Sequence, residues 1–144
     1  MHSYETKLFK IDIPHEWVLE RQMAPYMPLA VKINYNSNDI VPNYNITLLE
    51  PNHKKLEDIA IQNSANNCAK GSCKVSKMVP IKINQKDGYK SYQELVINNK
   101  LLVVEQYYIE DENTVYLISF FCLKKDREIN KEIFDRIASS FKVR

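Results

Sequence analysis

The strongest constraint on what this chain can fold into is a tyrosine-rich stretch, residues 88–122, that runs directly into an amphipathic pattern at residues 126–141. Short polar reversals cut the stretch into strand-length pieces. Asn98 and Asn99 separate residues 89–97 from 100–110, and adjacent asparagines tolerate the positive φ values of a tight hairpin turn. A second reversal at residues 111–113 leads into 114–123. If the turn centres set the register, Tyr108 faces Tyr116 and Val104 faces Phe120.

Parity adds a condition. In residues 100–110, Leu101, Val103 and Tyr107 alternate with Leu102, Val104 and Tyr108; in 114–123, Val115 and Leu117 alternate with Tyr116 and Ile118. Side chains of a strand point alternately to opposite faces, so both faces of this sheet must be covered. Helices on two sides would do it, as would helices on one side and a partner or long loop on the other. The closing helix predicted at residues 126–141 accounts for one side. Its seam is Ile129, Ile133, Ile137 and Phe141, broadened by Phe134 and Ala138, with Asp126 and Glu128 suited to the helix start. Truncating Ile133 to alanine is expected to cost about 2 to 5 kcal/mol if it is fully buried.

Upstream the pattern is looser. Phe9, Ile11 and Ile13 alternate with Lys10 and Asp12, which predicts a strand over residues 7–13 ended by Pro14. Residues 15–29, with Trp17, Pro25 and Pro28, read as a packed loop containing a turn of helix. Strands are expected at 30–35 and 44–50, joined by an irregular connection rich in Asn, Asp and Pro. A helix is expected at 54–69, burying Leu56, Ile59, Ala60 and Asn63 and stopping at Gly71. Val75, Val79, Ile81 and Ile83 predict one strand entered at Pro80, followed by a turn at Lys86, Asp87 and Gly88.

No linker, repeat or low-complexity block interrupts this pattern, so residues 1–144 read as one domain. A chain of 144 residues buries roughly 70% of the surface that its unfolded form exposes. Its formal charge of +2, from 20 basic and 18 acidic side chains with interspersed signs, gives no footprint for nucleic acid. No apolar run is long enough for a transmembrane segment. The first residues lack a signal-peptide pattern, which makes a cytoplasmic location the simplest expectation. An exported protein or lipoprotein whose leader is absent from this chain is the alternative. Cys68 and Cys73 flank Gly71 and are either bridged or free; Cys122 reads as a small core residue at a strand end.

Catalytic and metal motifs do not rise above background. His2, His15 and His53 are widely spaced and form no zinc pattern. Glu110, Asp111 and Glu112 read as a charged turn, and His15 with Glu16 as surface. Ser139 and Ser140 stand outside any nucleophile elbow, and Gly71 and Gly88 belong to no phosphate loop. The expectation is therefore no metal and no cofactor. A hydrolase assembled from residues distant in sequence is the alternative. Tyrosine supplies rigid apolar area with a polar tip, so the candidate recognition surface is Trp17, Tyr26, Met27, Tyr89, Tyr92, Tyr107, Tyr108 and Tyr116.

FKIDIPHEW at the front, YNITLLE before the first helix, the paired LVVEQYYIE and TVYLISFFC, and the closing IFDRIASSF together resemble the PsbP-like and DcrB-like proteins. The small nuclear import cofactors that bind the GTPase Ran share that fold. The resemblance spans almost the whole chain, with Phe9, Ile11, Pro14 and Trp17 matching the opening strand, proline turn and aromatic residue. It implies an α+β fold, an antiparallel sheet of about six strands sandwiched by helices (α/β/α). It also implies a nonenzymatic protein-interaction or accessory role, with bacterial adaptors and chaperones among its members, and it carries over no catalytic residue. The expected partner is a protein, and a homodimer through an exposed sheet face is one version of it.

Overall fold

The computed structural model describes residues 1–20, 25–33, 41–68, 73–75 and 78–144, with Glu20 described by its backbone alone. In chain order the strands are β1 (His2–Glu5), β2 (Phe9–Ile13), β3 (Trp17–Glu20), β4 (Leu29–Ile33), β5 (Asn43–Leu49), β6 (Cys73–Val75), β7 (Val79–Ile83), β8 (Lys86–Ile97), β9 (Lys100–Asp111), β10 (Thr114–Leu123) and β11 (Lys142–Val143). Helix α1 (Leu56–Asn67) follows β5, and helix α2 (Arg127–Ser140) follows β10. The class is α+β. The main sheet holds eight strands, in place of about six expected, in the order β3-β4-β5-β10-β9-β8-β6 with β7 also on β8. A second sheet, β1-β2-β11, pairs the first strands with the last.

The meander β8-β9-β10 forms as predicted, but its register differs by one residue. Asp111 pairs with Thr114 across a two-residue turn, so Tyr108 lies opposite Leu117, Tyr116 opposite Ile109, and Phe120 opposite Glu105. The physical reason is the turn: Glu112, at φ 52°, lets the chain reverse tightly, and the centre of symmetry falls between residues. A one-residue change moves each pair to the other face. Tyr108 and Tyr116 consequently lie on opposite sides of the sheet. Asn98 and Asn99 do form the other hairpin turn, at φ 51° and 63°.

Parity is satisfied from within. On one face α2 and β2 cover Tyr107, Tyr116, Ile118 and Phe120, which join Phe9, Ile11, Phe134, Ile137 and Phe141 in one buried cluster. On the other, Ala60 of α1 meets Tyr108, Val115 and Leu117, with Leu56 and Ile59 at its margin. Ile129 departs from the expected seam and is 80% exposed. The buried face of α2 runs through Asn130, Phe134, Ile137 and Ala138, which turns Ile129 outward, and the Asn130 side-chain amide donates to the Asp126 carbonyl at 2.8 Å. Ile133 is half-buried.

Other differences are local. Residues 17–20 are an edge strand, where a loop with a helical turn was expected, because Trp17 to Glu20 pair with Ile33 to Ala30; residues 21–24 lie outside the described set, as do residues 34–40 of the predicted connection and Gly71. The strand predicted over Val75 to Ile83 is two, both laid on β8, and Pro80 is tolerated because β7 is at the edge. The turn expected at 86–88 falls instead at Asn84 and Gln85, with φ 45° and 69°. Gly88 is inside β8, where an added Cβ would run into the Tyr108 carbonyl oxygen. Cys68 and Cys73 are joined in a disulfide with Cα atoms 5.3 Å apart, tying the end of α1 to edge strand β6. Cys122 is free and buried.

Candidate functional site

The eight aromatic and methionine residues singled out in the sequence do not form one surface. Tyr107, Tyr108 and Tyr116 are buried. Tyr107 packs edge-on against Phe120 with its hydroxyl toward Asp135, and Tyr116 stacks with Phe9 and Phe141. Two-sided coverage of the sheet is the reason: its central strands leave no face for large side chains to reach water. Burial raises the hydroxyl pKa of Tyr107 and Tyr108, with nearby Glu105 and Asp135 adding to it at Tyr107, so both stay protonated donors at neutral pH. Tyr89 is half-buried beside α1, its hydroxyl 3.4 Å from Glu57. Tyr92 lies on the opposite face with the Arg127 guanidinium 4.5 Å above its ring. Trp17 is half-buried against Tyr44.

Tyr26 stands apart at 59% exposure. Its carbonyl accepts a hydrogen bond from the Leu48 amide at 2.7 Å, which moors the loop to β5. Beside it opens a recess of about 540 Å³. Pro25, Leu48, Leu49 and Pro51 give apolar wall, while Glu50, His53 and Asn113 give a polar rim. Asn52 and His53 hold left-handed backbone, φ 49° and 63°, and so turn the chain sharply between β5 and α1. A recess of mixed apolar and polar lining with an aromatic side chain at its lip can seat a side chain of a partner while its polar groups meet the partner's backbone. The sequence reading found Tyr26 but not Leu48, His53 or Asn113. The signal it passed over is Asn-His after Pro51, two residues in the backbone region that marks a functional loop as often as a turn.

A second feature escaped the sequence reading. Gln93, Gln106 and Ser119 are buried side by side on the α1 face of three adjacent strands. Gln106 Oε1 accepts from Gln93 Nε2 at 2.8 Å, Tyr108 OH at 3.1 Å and Ser91 Oγ at 3.5 Å, while Gln106 Nε2 donates to Ser119 Oγ at 3.2 Å. Asn63 of α1 joins the chain by donating to Tyr108 OH at 2.8 Å. Gln93 Nε2, both ends of the Gln106 amide, Tyr108 OH and Ser119 Oγ thus find partners, and the ladder acts on register and helix docking.

Several side chains considered for chemistry have structural partners. Ser140 Oγ accepts from the Asp12 amide at 2.8 Å and donates to the Ile137 carbonyl at 2.6 Å, pinning α2 to β2. Asp111 pairs with Lys86. Buried Glu105 is held by Arg127 at 3.1 Å and Lys90 at 3.7 Å. His2 and His15, distant in sequence, come together with ring centroids 6.1 Å apart. Among the described residues, no three His, Cys, Asp or Glu side chains gather to hold a metal ion, and no helix is long and apolar enough to cross a membrane.

Compared with protein-family models and with curated sequences, the chain matches none. Solved structures are similar over nearly its whole length. The cyanobacterial PsbP protein CyanoP of Synechocystis sp. PCC 6803 has a TM-score of 0.71 at 12% identity, covering 99% of this chain and 92% of that one. LpqN, involved in cell envelope biogenesis of Mycobacterium tuberculosis, has a TM-score of 0.66 at 13% identity, covering 94% and 82%. The Ran-binding protein Mog1p of Saccharomyces cerevisiae has a TM-score of 0.66 at 11% identity, covering 99% and 96%. At such identities the likeness is one of fold.

Proposed function

For a chain with the PsbP-like fold that CyanoP and Mog1p share, we infer a nonenzymatic protein-binding role, exercised at the recess beside Tyr26. The observation that carries it is an exposed tyrosine at the lip of a recess of about 540 Å³ lined by both apolar and polar side chains. Tyrosine in that position contributes contact area at low entropic cost and keeps its hydroxyl wet, the character of an interface hot spot. Support also comes from the burial of Tyr107, Tyr108 and Tyr116, which leaves Tyr26 as the exposed member of the expected surface, with Trp17, Met27, Tyr89 and Tyr92 half-buried. Mog1p, on the same fold, is a Ran-binding protein.

The adaptor or chaperone version of this role has the recess receive an apolar side chain of a client segment while Glu50, His53 and Asn113 meet its backbone. The Cys68–Cys73 bridge favours an exported protein over a cytoplasmic one, because disulfides persist in oxidising compartments. Affinity capture from the source organism tests the role, with Tyr26→Ser compared against the unaltered chain. Tyr26 is exposed, so its replacement leaves the fold intact, and a far-UV spectrum checks this. Loss of a captured protein with Tyr26→Ser is the expected result. Retention of the same proteins overturns the site, and turnover of a substrate by the purified chain overturns the role in favour of a hydrolase.

A further inference from the structure

At the end of the sheet opposite the Tyr26 recess, the β8-β9 hairpin outruns its neighbours. The last ladder pair with β10 is Leu123 with Leu102, and the first with β6 is Cys73 with Leu95. Among the described residues, 96–101 therefore extend past the last ladder pair on either side, a reach of roughly 10 Å at about 3.3 Å per residue. This projecting tip carries Val96, Ile97 and Leu101, all among the exposed large apolar side chains. Val96 and Leu101 are ladder partners, so they stand side by side on one face, while Ile97 points to the other.

Next to the tip lies a recess of about 710 Å³ lined by Lys100, Leu101, Leu123, Lys124 and Lys125. The lining holds three lysines and two leucines and no carboxylate. Glu94 grips the Lys124 amine at 2.5 Å and fixes it on the wall of the recess. Lys74, on the neighbouring strand, adds a further positive charge close to Glu94. Leucine and lysine side chains lining one recess match an amphiphile with an anionic head and an apolar body.

We propose that the β8-β9 hairpin tip docks on a membrane surface carrying anionic phospholipids, with Val96, Ile97 and Leu101 entering the interface and the lysine-lined recess receiving headgroup phosphates. The shape decides for lipid over protein. A convex apolar point needs a matching socket on a rigid partner, whereas a bilayer interface yields around it. Amphipathic contacts of this kind gain from buried apolar area and from attraction to anionic lipid together. This goes beyond the protein-binding reading and uses the other end of the molecule.

The test is flotation of the full chain with vesicles of equimolar phosphatidylglycerol and phosphatidylcholine, against vesicles of phosphatidylcholine alone. Expected are flotation with the anionic vesicles only, its loss in Val96→Ser/Ile97→Ser/Leu101→Ser, and a decrease of about five-fold in Lys125→Gln, from the usual contribution of one lysine near an anionic surface. Trp17 is the single tryptophan, so Trp17→Phe combined with Ile97→Trp makes the tip the sole indole. Its emission should shift to the blue on anionic vesicles. Failure to float, equal binding to both vesicle types, unchanged binding of the serine variant or an unshifted indole each overturns the proposal. Circular dichroism of each variant confirms that it is folded.

Discussion

Replacing Gln106 by methionine tests the buried polar ladder most directly. The substitution keeps the length of the side chain and removes its amide. Of the groups that lose their acceptor, Tyr108 OH can turn to Ser64 Oγ, 3.4 Å away, and the Ser91 hydroxyl can rotate. Gln93 Nε2 has no such freedom, because its side chain is buried at 1% exposure and its donor is aimed at Gln106. A buried donor left without a partner costs about 1 to 3 kcal/mol, and the weakened serine and tyrosine contacts add to it, so Gln106→Met should lose about 2 to 3 kcal/mol. Replacing both glutamines leaves no orphaned amide. Gln93→Met/Gln106→Met should therefore cost less than the sum of the single changes by about 1 kcal/mol or more. Urea melts followed by circular dichroism, extrapolated to water, give each value. A loss below about 0.5 kcal/mol for Gln106→Met, or strict additivity of the pair, would refute the view that the ladder is a satisfied network whose parts depend on one another.

The same melts separate the inner and outer faces of α2: Phe134→Ala should cost about 3 to 5 kcal/mol, whereas half-buried Ile133→Ala should cost only about 1 to 2 kcal/mol, and equal losses would contradict the helix orientation. Burial, reinforced by Glu105 and Asp126, pushes the Cys122 thiol up from its ordinary value of 9.0 to about 11. The folded chain then holds that proton more tightly than the unfolded one, so this contribution is full below about pH 9 and is lost as pH rises toward about 11. Cys122→Ala should flatten the fall in urea midpoint over that interval, and an unchanged slope would show that the thiol contributes none of it.

What the sequence made legible follows from signals that are local and redundant. Asn98 and Asn99 can both adopt left-handed backbone, so their hairpin was readable, and the alternation of Phe9, Ile11 and Ile13 placed a strand correctly. Parity in β9 and β10 required two covered faces, and α1 and α2 with β2 supply them. The register of β9 against β10 was not readable, because a two-residue and a three-residue reversal differ by one position and both suit Asp111 to Asn113. That single step is what put Tyr108 and Tyr116 on opposite faces and dissolved the tyrosine surface expected in the meander. Trp17 and its neighbours looked like a loop because pairing with β4 is a tertiary fact that no local period encodes. Ile129 fits a four-residue seam by spacing alone, yet the rotation of α2 that buries Asn130, Phe134, Ile137 and Ala138 leaves that position wet. The Tyr26 recess is assembled from β5, the turn after it and the β9-β10 hairpin, and only the first of its parts carries a strong sequence signal.

The pairing of β2 between β1 and β11 imposes a schedule on synthesis. Phe9, Ile11 and Ile13 are made well before α2, which helps to cover them, and the contact of Asp12 with Ser140 spans 128 residues. The Lys10 and Lys142 pairing and the hydrogen bond from the Arg144 amide to the Leu8 carbonyl close the other edge of β2 later still. At about 5 to 20 residues per second, those apolar side chains wait on the order of 10 seconds for their neighbours. A nascent chain halted before residue 127 would leave them without the cover of α2, and that interval is when the cell's own chaperones have most to hold.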